Sequence, residues 1–417
     1  MMYAVVTFGC RVNQADSFDV EESLRARGGV AAPAHDADLV VVNTCTVTGA
    51  ADQGARNFIR RVARRNPSAR IVVTGCYATR EPGALTSLPG VVRLVSNGEK
   101  AAFVRELRSP DGDGACGSRL EPGVMGRTAF PLRVQTGCEE HCAFCVIPST
   151  RGPSRSRPIA EVLADIERLA GAGYRELWLV GVHLGSYGRD HLPPASLLEL
   201  LRALDGARGD VSFRISSLEP MDCSPEIVAL VAQSGRFAPH FHLPLQHGSG
   251  RMLAAMRRPY SVGFYRGLVD DIRARLPHAS IGTDVIVGFP GEAEEDVEVC
   301  EGTVAVLPVS YLHVFPYSPR PDTAAPRLGE APAAAEVRER GEELRALAVG
   351  REAAHRAARA GGRADLVLEG RRAAHYDAVT EDYLAVRVPV DAPWATGRRR
   401  VRARLAERDG ALVAEAA

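Results

Sequence analysis

Lysine is all but missing from this 417-residue chain. Lys100 stands alone among 51 basic side chains, and the rest are arginine. An equal number of acidic residues leaves no net charge, which excludes a broadly basic protein that coats nucleic acid but not a local basic face. Arginine suits bidentate phosphate contacts wherever it lines a site. The skew itself, with heavy use of Ala, Gly and Pro, reads as genome composition. Long apolar runs are also missing: none approaches the roughly 18 residues that a membrane span needs. The opening MMYAVVTFGC has neither the charged segment nor the cleavage site of a secretion signal. No internal repeat or extended low-complexity tract is found. A cytoplasmic protein is therefore expected, in which nine cysteines serve as ligands or nucleophiles rather than as disulfides.

The hydrophobic content is ordinary for a globular protein, and the length suits two or three domains. In the first hundred residues apolar runs alternate with amphipathic stretches. Tyr3–Phe8, Leu39–Val42, Ile71–Thr74 and Val91–Val95 read as strands, and segments such as Ala51–Arg65 as helices. That alternation predicts an open parallel α/β sheet over residues 1–110. Ser109–Gly126, rich in Gly, Pro and charge, reads as a linker, taken as residues 111–126. A second βα series has strands beginning near Leu132, Leu177, Val211, His240, Ile281 and Tyr311. It predicts a parallel, incompletely closed (β/α)6 barrel over residues 127–330. A charged helix, Ala335–Ala358 within a connecting segment 331–358, leads to residues 359–417. There Asp365–Glu369, Tyr383–Pro389 and Arg398–Leu405 predict a small β-barrel.

The sharpest local feature is Cys138-Glu-Glu-His-Cys142-Ala-Phe-Cys145. Three thiolates so close in one loop converge on one metal centre. A structural zinc site wants a fourth ligand, and His141, placed between two ligands, wraps awkwardly. A [4Fe–4S] cluster has four irons, so three cysteines leave one iron open. S-adenosylmethionine can occupy that iron through its amino and carboxylate groups, and electron transfer then releases a 5′-deoxyadenosyl radical. The loop also follows the first barrel strand, at the catalytic end of such a barrel. Cys10, Cys45 and Cys76 repeat one placement, each just past the carboxyl end of a predicted parallel strand. In an open α/β sheet those ends share one edge. Three thiols there suggest a second cluster, again one protein ligand short, whereas a single cysteine would be read as a small apolar residue. Cys116, Cys223 and Cys300 read as incidental.

With both triads in view, the chain resembles the radical S-adenosylmethionine methylthiotransferases over almost its whole length. The resemblance runs through Thr7-Phe-Gly-Cys-Arg-Val-Asn-Gln14, Asn43-Thr-Cys-Thr-Val-Thr48, Val73-Thr-Gly-Cys-Tyr77 and the Cys138–Cys145 loop. It continues through Gly181-Val-His-Leu-Gly-Ser-Tyr-Gly188, Arg214-Ile-Ser-Ser-Leu-Glu-Pro220, His242-Leu-Pro-Leu-Gln246 and Asp284-Val-Ile-Val-Gly-Phe-Pro-Gly291. It implies an auxiliary [4Fe–4S] cluster on Cys10, Cys45 and Cys76, and a radical [4Fe–4S] cluster on Cys138, Cys142 and Cys145. It further implies a C-terminal RNA-binding domain of the TRAM type. One S-adenosylmethionine would supply the methyl group and another the radical, with sulfur held at the auxiliary cluster.

By the same likeness Phe144, Gly181, His183, Ser216, Glu219 and Gly288 are candidates to bind S-adenosylmethionine. Gln246 and His247 are candidates for substrate contact, and Arg398, Arg399, Arg400, Arg402 and Arg404 for RNA. Each also has an ordinary reading as a turn glycine, a capping serine or a solvated charge. The Asn43–Thr48 and Val182–Tyr187 stretches resemble the group acting on N6-threonylcarbamoyladenosine-37, in the anticodon loop of tRNA. The alternatives are isopentenyladenosine-37, a ribosomal-protein aspartate, or a non-catalytic iron–sulfur RNA-binding protein. A reductase such as flavodoxin or ferredoxin is implied as partner, and the sulfur donor stays open.

Overall fold

A computed structural model describes residues 1–107 and 128–416. The predicted linker falls outside the described residues. Strands β1 Met2–Thr7, β2 Val30–Ala31, β3 Leu39–Thr44, β4 Arg70–Gly75 and β5 Val91–Val95 form one sheet in the order β2-β1-β3-β4-β5. Every pairing in it is parallel. The two-residue β2 is too short for any periodicity to reveal.

Alternation along the strands decides which helix each face receives. Val40, Val42, Ile71 and Val73 point to the side that packs Ala55, Ile59 and Val62 of α2, Gly49–Arg65. Val41 and Val72 point to the other side, which packs Val20 and Leu24 of α1, Arg11–Ala26. On α2 the buried positions recur at three- and four-residue steps, one stripe of a 3.6-residue helix. Thr48 caps that helix by accepting the amide of Ala51. Emptying the stripe with Ile59→Ala would cost about 2–5 kcal/mol. The short helices α3 Cys76–Arg80 and α4 Gly83–Thr86 follow β4, and α5 Lys100–Leu107 follows β5.

By its contacts the chain divides into two compact units. The described residues of the first come from Met1–Leu120, Gln135–Arg155 and Ser318–Thr323. The cysteine loop at 138–145 thus belongs with the N-terminal sheet, together with α6, Ile147–Arg151. Within this unit Arg80 pairs with Asp322 at 3.1 Å and Arg320 with Asp52 at 3.0 Å.

The second unit holds two barrels. After β6 Ala129–Arg133 the chain passes through the first unit, with the short β7 Gln135–Thr136 and the start of β8 Arg155–Ser156, and returns to β9 Glu176–Val180 and β10 Ser212–Ile215. The series ends with β11 His240–His242, β12 Ser280–Val287 and β13 Tyr311–Pro316. Sheets β10-β9-β6 and β11-β12-β13 are parallel throughout, and a bridge from Ser217 to His242 joins them. Six parallel strands therefore run in the order β6, β9, β10, β11, β12, β13. The helix Ala334–Arg359 leads to a closed antiparallel-rich barrel ordered β14-β15-β16-β18-β17. Its strands are β14 Arg363–Arg371, β15 His375–Thr380, β16 Ala385–Pro389, β17 Arg400–Arg408 and β18 Ala411–Ala416. The sequence reading lacks β15 and β18, whose alternation is diluted by charge and alanine.

Arg214 fastens the two barrels together although it is 1% exposed. Its guanidinium meets Glu176 at 2.5 Å, donates to the backbone oxygens of Thr380 and Glu381, and stacks on Trp178 and Tyr383. A buried charge survives only when paired and hydrogen-bonded in this way.

Candidate iron–sulfur centres

The first triad is assembled by the β-sheet. Cys10 caps α1 three residues after β1, Cys45 directly follows β3 and Cys76 directly follows β4. The strand order reverses between β1 and β3, so Cys10 and Cys45 flank the topological switch point where open α/β sheets bind ligands. Gly9 and Gly75 let the loops close on one another. Both have φ near +99°, and a Cβ on Gly9 would lie 2.4 Å from that of Cys45.

Polar residues of the same motifs stitch the loops. Asn13 donates to the backbone oxygens of Phe8 (2.8 Å) and Thr44 (3.0 Å), and Asn43 donates to Asn13 O (2.8 Å). Thr44 donates its hydroxyl to Thr74 O at 2.6 Å and accepts the amide of Ala78. Burial pushes the Cys45 thiol up to about 12, and the neighbouring Cys10 and Cys76 add to the effect. A thiol so placed ionises only when a cation is supplied, which is what a cluster iron does. The cysteines are unpaired, so three thiols sharing one sheet edge fit a metal cluster better than a disulfide.

The second triad, Cys138, Cys142 and Cys145, is half-buried. Its loop is held at its base by the Cys138 amide on Gly152 O (3.0 Å), and it is turned by the Cys145 amide on Cys142 O (3.1 Å). The Glu140 amide lies 3.4 Å from Cys138 Sγ. Phe144 is half-buried between two of the cysteines. Three thiols on a short loop, with the Glu140 amide turned toward one sulfur, likewise suit a cluster.

The other candidates lie in the second unit. His183 is buried with Nε2 2.8 Å from Asp222, and Gly181 precedes it at the end of β9. Ser216 is buried just past β10. Glu219 is in an ion pair with Arg258, so its carboxylate is already engaged. A Cβ on Gly288 would lie 2.5 Å from Val337, so the bare face of this residue is used by the helix Ala334–Arg359. His247 accepts the amide of Ser249 on Nδ1 and faces Glu292 through Nε2 at 3.1 Å, which occupies both ring nitrogens. Gln246 adopts φ +69° and bridges Asp284 and Ile286 through its backbone.

One polar group escapes sequence reasoning. Asp284 lies between His242 (3.0 Å) and His313 (3.1 Å), and Tyr311 Oη joins His240 (2.9 Å) to His242 (3.0 Å). Burial alone would raise the Asp284 carboxyl, but the two imidazoles hold it down to about 2. The result is an ionised acceptor held between three neighbouring barrel strands, β11, β12 and β13.

Among the basic candidates of the small barrel, Arg402 and Arg404 alternate outward on β17 and are exposed. Arg398 and Arg399, just before β17, are exposed as well. Arg400 differs: it pairs with Asp365 at 2.6 Å and meets Asp210 at 3.5 Å. Its charge is consumed by the fold, because β14 and β17 are neighbours. Cys223 and Cys300 are buried, and burial pushes both thiols up to about 12, as befits packing cysteines.

Residues 2–97 match the uncharacterized protein family UPF0004, and residues 132–301 match the Radical SAM superfamily. Threonylcarbamoyladenosine tRNA methylthiotransferase MtaB of Bacillus subtilis is 36% identical over 337 residues, covering 77% of this chain and 74% of the relative. A tRNA-2-methylthio-N(6)-dimethylallyladenosine synthase of Parafrankia sp. is 34% identical over 389 residues, covering 89% and 79%. Among solved structures, the radical S-adenosylmethionine methyltransferase TsrM from Kitasatospora setae superposes with a TM-score of 0.55 at 17% identity. It covers 78% of this chain and 76% of that one, which is a likeness of fold.

Proposed function

Because the chain belongs to the radical S-adenosylmethionine methylthiotransferase family, we propose that it converts N6-threonylcarbamoyladenosine-37 of tRNA to the 2-methylthio derivative. It is a radical S-adenosylmethionine enzyme with two [4Fe–4S] clusters. The observation that carries the reading is the pair of cysteine triads: one on the sheet edge after β1, β3 and β4, one on the 138–145 loop.

Cys138, Cys142 and Cys145 would hold the radical cluster and leave one iron for S-adenosylmethionine. Cys10, Cys45 and Cys76 would hold the auxiliary cluster and leave one iron for sulfur. When bound, these groups supply the electron that cleaves S-adenosylmethionine, the radical that takes hydrogen from an unactivated carbon, and the place where sulfur is kept. The protein's own contribution is orientation. Asp222 fixes the His183 ring, and Arg258 fixes Glu219. Asp284, ionised between its two imidazoles, is a preorganised acceptor for the N–H groups that an adenine or an amino group carries.

The threonylcarbamoyl side chain is favoured over the dimethylallyl one by the Asn43–Thr48 and Val182–Tyr187 stretches and by the Bacillus subtilis relative. The Parafrankia relative, aligned over more of the chain, supports dimethylallyladenosine as the second reading. Mass spectrometry of tRNA nucleosides from a deletion strain separates them. Loss of 2-methylthio-threonylcarbamoyladenosine supports the first reading. Loss of the dimethylallyl product alone supports the second.

A further inference from the structure

Six residues beyond Cys145, Arg151 reaches back to helix α1. Its Nη2 lies 2.5 Å from Asn13 Oδ1 and 3.1 Å from Asp16 Oδ2, and its Nη1 donates to Thr136 Oγ1 at 3.2 Å. Asp16, 1% exposed, also receives Lys100 Nζ at 2.6 Å. The guanidinium is buried, and its Nε has no hydrogen-bond partner among the described residues. Burial would weaken its charge, but Asp16 and then the sulfurs of Cys76 and Cys10 strengthen it.

A second donor approaches the same sulfur. Asn97 Nδ2 lies 3.5 Å from Cys76 Sγ and is held in place by Thr150 O at 2.9 Å. Arg151 and Lys100 share the one buried carboxylate of Asp16, and burial works against the charge on Lys100, so Arg151 carries the lasting positive charge. Guanidinium cannot lose its proton in a protein, so the charge persists at any working pH. Lys100 sharpens the point: in a chain that uses arginine everywhere else, the one lysine is buried here, where a compact ammonium is needed between α1 and α5.

We propose that Asn97, donating to Cys76 Sγ, raises the reduction potential of the auxiliary cluster, and that the buried Arg151 charge, held by Asn13 and Asp16, adds to the effect. Cluster potentials follow net charge and hydrogen bonds to sulfur, and each electron added makes a thiolate-ligated cluster more negative. A fixed cation and an N–H···S contact favour the reduced form. This rests on the ligand assignment made above.

The test uses the full chain carrying Cys138→Ala, Cys142→Ala and Cys145→Ala, reconstituted anaerobically so that any cluster is the auxiliary one. Four irons per chain are expected, and a parent without iron would sink the ligand assignment itself. The midpoint is then read by EPR-monitored titration for added Asn97→Ala, Arg151→Gln and Arg151→Lys. Asn97→Ala and Arg151→Gln should each lower it by at least the equivalent of tenfold in the reduction equilibrium, about 59 mV for one electron. Arg151→Lys should restore most of the Arg151→Gln loss. Where Arg151→Gln fails to hold iron, Asn97→Ala decides by itself. It should also remove a deuterium-exchangeable proton coupling from the electron–nuclear double-resonance spectrum of the reduced cluster. An iron-loaded Asn97→Ala at the parent midpoint, with that coupling intact, overturns the proposal.

Discussion

Asn43 donates its side-chain amide to the backbone oxygen of Asn13 at 2.8 Å, and Asn13 donates in turn to the backbone of Thr44 at 3.0 Å. This reciprocal pair joins the loop that carries Cys10 to the loop that carries Cys45, both asparagines being fully buried. Asn13→Ala removes two N–H donors and the oxygen that accepts from Arg151, stranding all three partners. At about 1–2 kcal/mol for each missing bond, the cost is about 3–6 kcal/mol. Chemical denaturation of the apoprotein should show it as a lower midpoint with an unchanged slope. Iron uptake by the Cys138/Cys142/Cys145-deficient chain should fall alongside.

Gly9→Ala tests the closeness of the same two loops. The added Cβ would sit 2.4 Å from Cys45 Cβ, at a φ that disfavours any L side chain. A stability loss of at least about 1–3 kcal/mol is expected, together with loss of the auxiliary iron and retention of the radical iron. Iron counting in the Gly9→Ala chain should give about half the wild-type content. Full content would mean that the loops do not share one cluster.

The two triads should separate functionally. Cys45→Ala should leave reductive cleavage of S-adenosylmethionine to 5′-deoxyadenosine within a few-fold of wild type, while product methylthiolation disappears. Cys142→Ala should abolish both. Chromatographic measurement of 5′-deoxyadenosine and of modified nucleoside in the same reactions decides it. Cleavage surviving Cys142→Ala would remove that cysteine from the radical cluster.

Glu301, on the helix Glu294–Val306, makes stability depend on pH. Burial first, and then the Glu343 carboxyl of the long helix, push it up to about 7. The folded state therefore holds a proton that the unfolded chain releases near pH 4.5. The stabilisation is complete below that value and is lost as pH rises through about 7. Glu301→Gln, which needs no proton, should raise Tm relative to wild type at pH 8, with the gain vanishing below about pH 4.5. Differential scanning calorimetry across that window checks it, and a pH-independent gain would refute the assignment.

On the small barrel the arginines should divide by pairing. Replacing the exposed Arg402 and Arg404 with Ala should weaken tRNA binding and lower the salt slope by roughly 0.7–0.9 for each phosphate that is no longer neutralised. Arg400→Ala should mainly reduce stability, since it leaves Asp365 without its partner. Filter binding at several salt concentrations, beside thermal melts, distinguishes the two effects.

Much of this was legible in the sequence because its signals are local. The apolar runs of β1, β3, β4 and β5 announce a buried parallel sheet, and the close spacing of Cys138, Cys142 and Cys145 announces one metal centre. Cys10, Cys45 and Cys76 were readable from a less local regularity, each at the end of a parallel strand. What escaped was pairing across long separations. Arg400 reads as an RNA contact until β14 brings Asp365 against it, and His247 reads as a substrate contact until Ser249 and Glu292 occupy its ring. Asp284, His242 and His313 look unrelated until three strands set them side by side. The isolated lysine at position 100 was the one hint of the buried charges around Asp16, and composition alone gave it no address.

The sequence by itself determined the element types, the two sets of thiols and the family they belong to. These depend on periodicity and spacing, which a linear chain carries in full. Tertiary structure alone decided which charges remain free and which are spent within the fold, and it delivered Asn97 to Cys76 and Arg151 to Asp16. The physical reason is that a charge acts over a few ångströms in space, whatever its distance along the chain, and only folding makes those distances short.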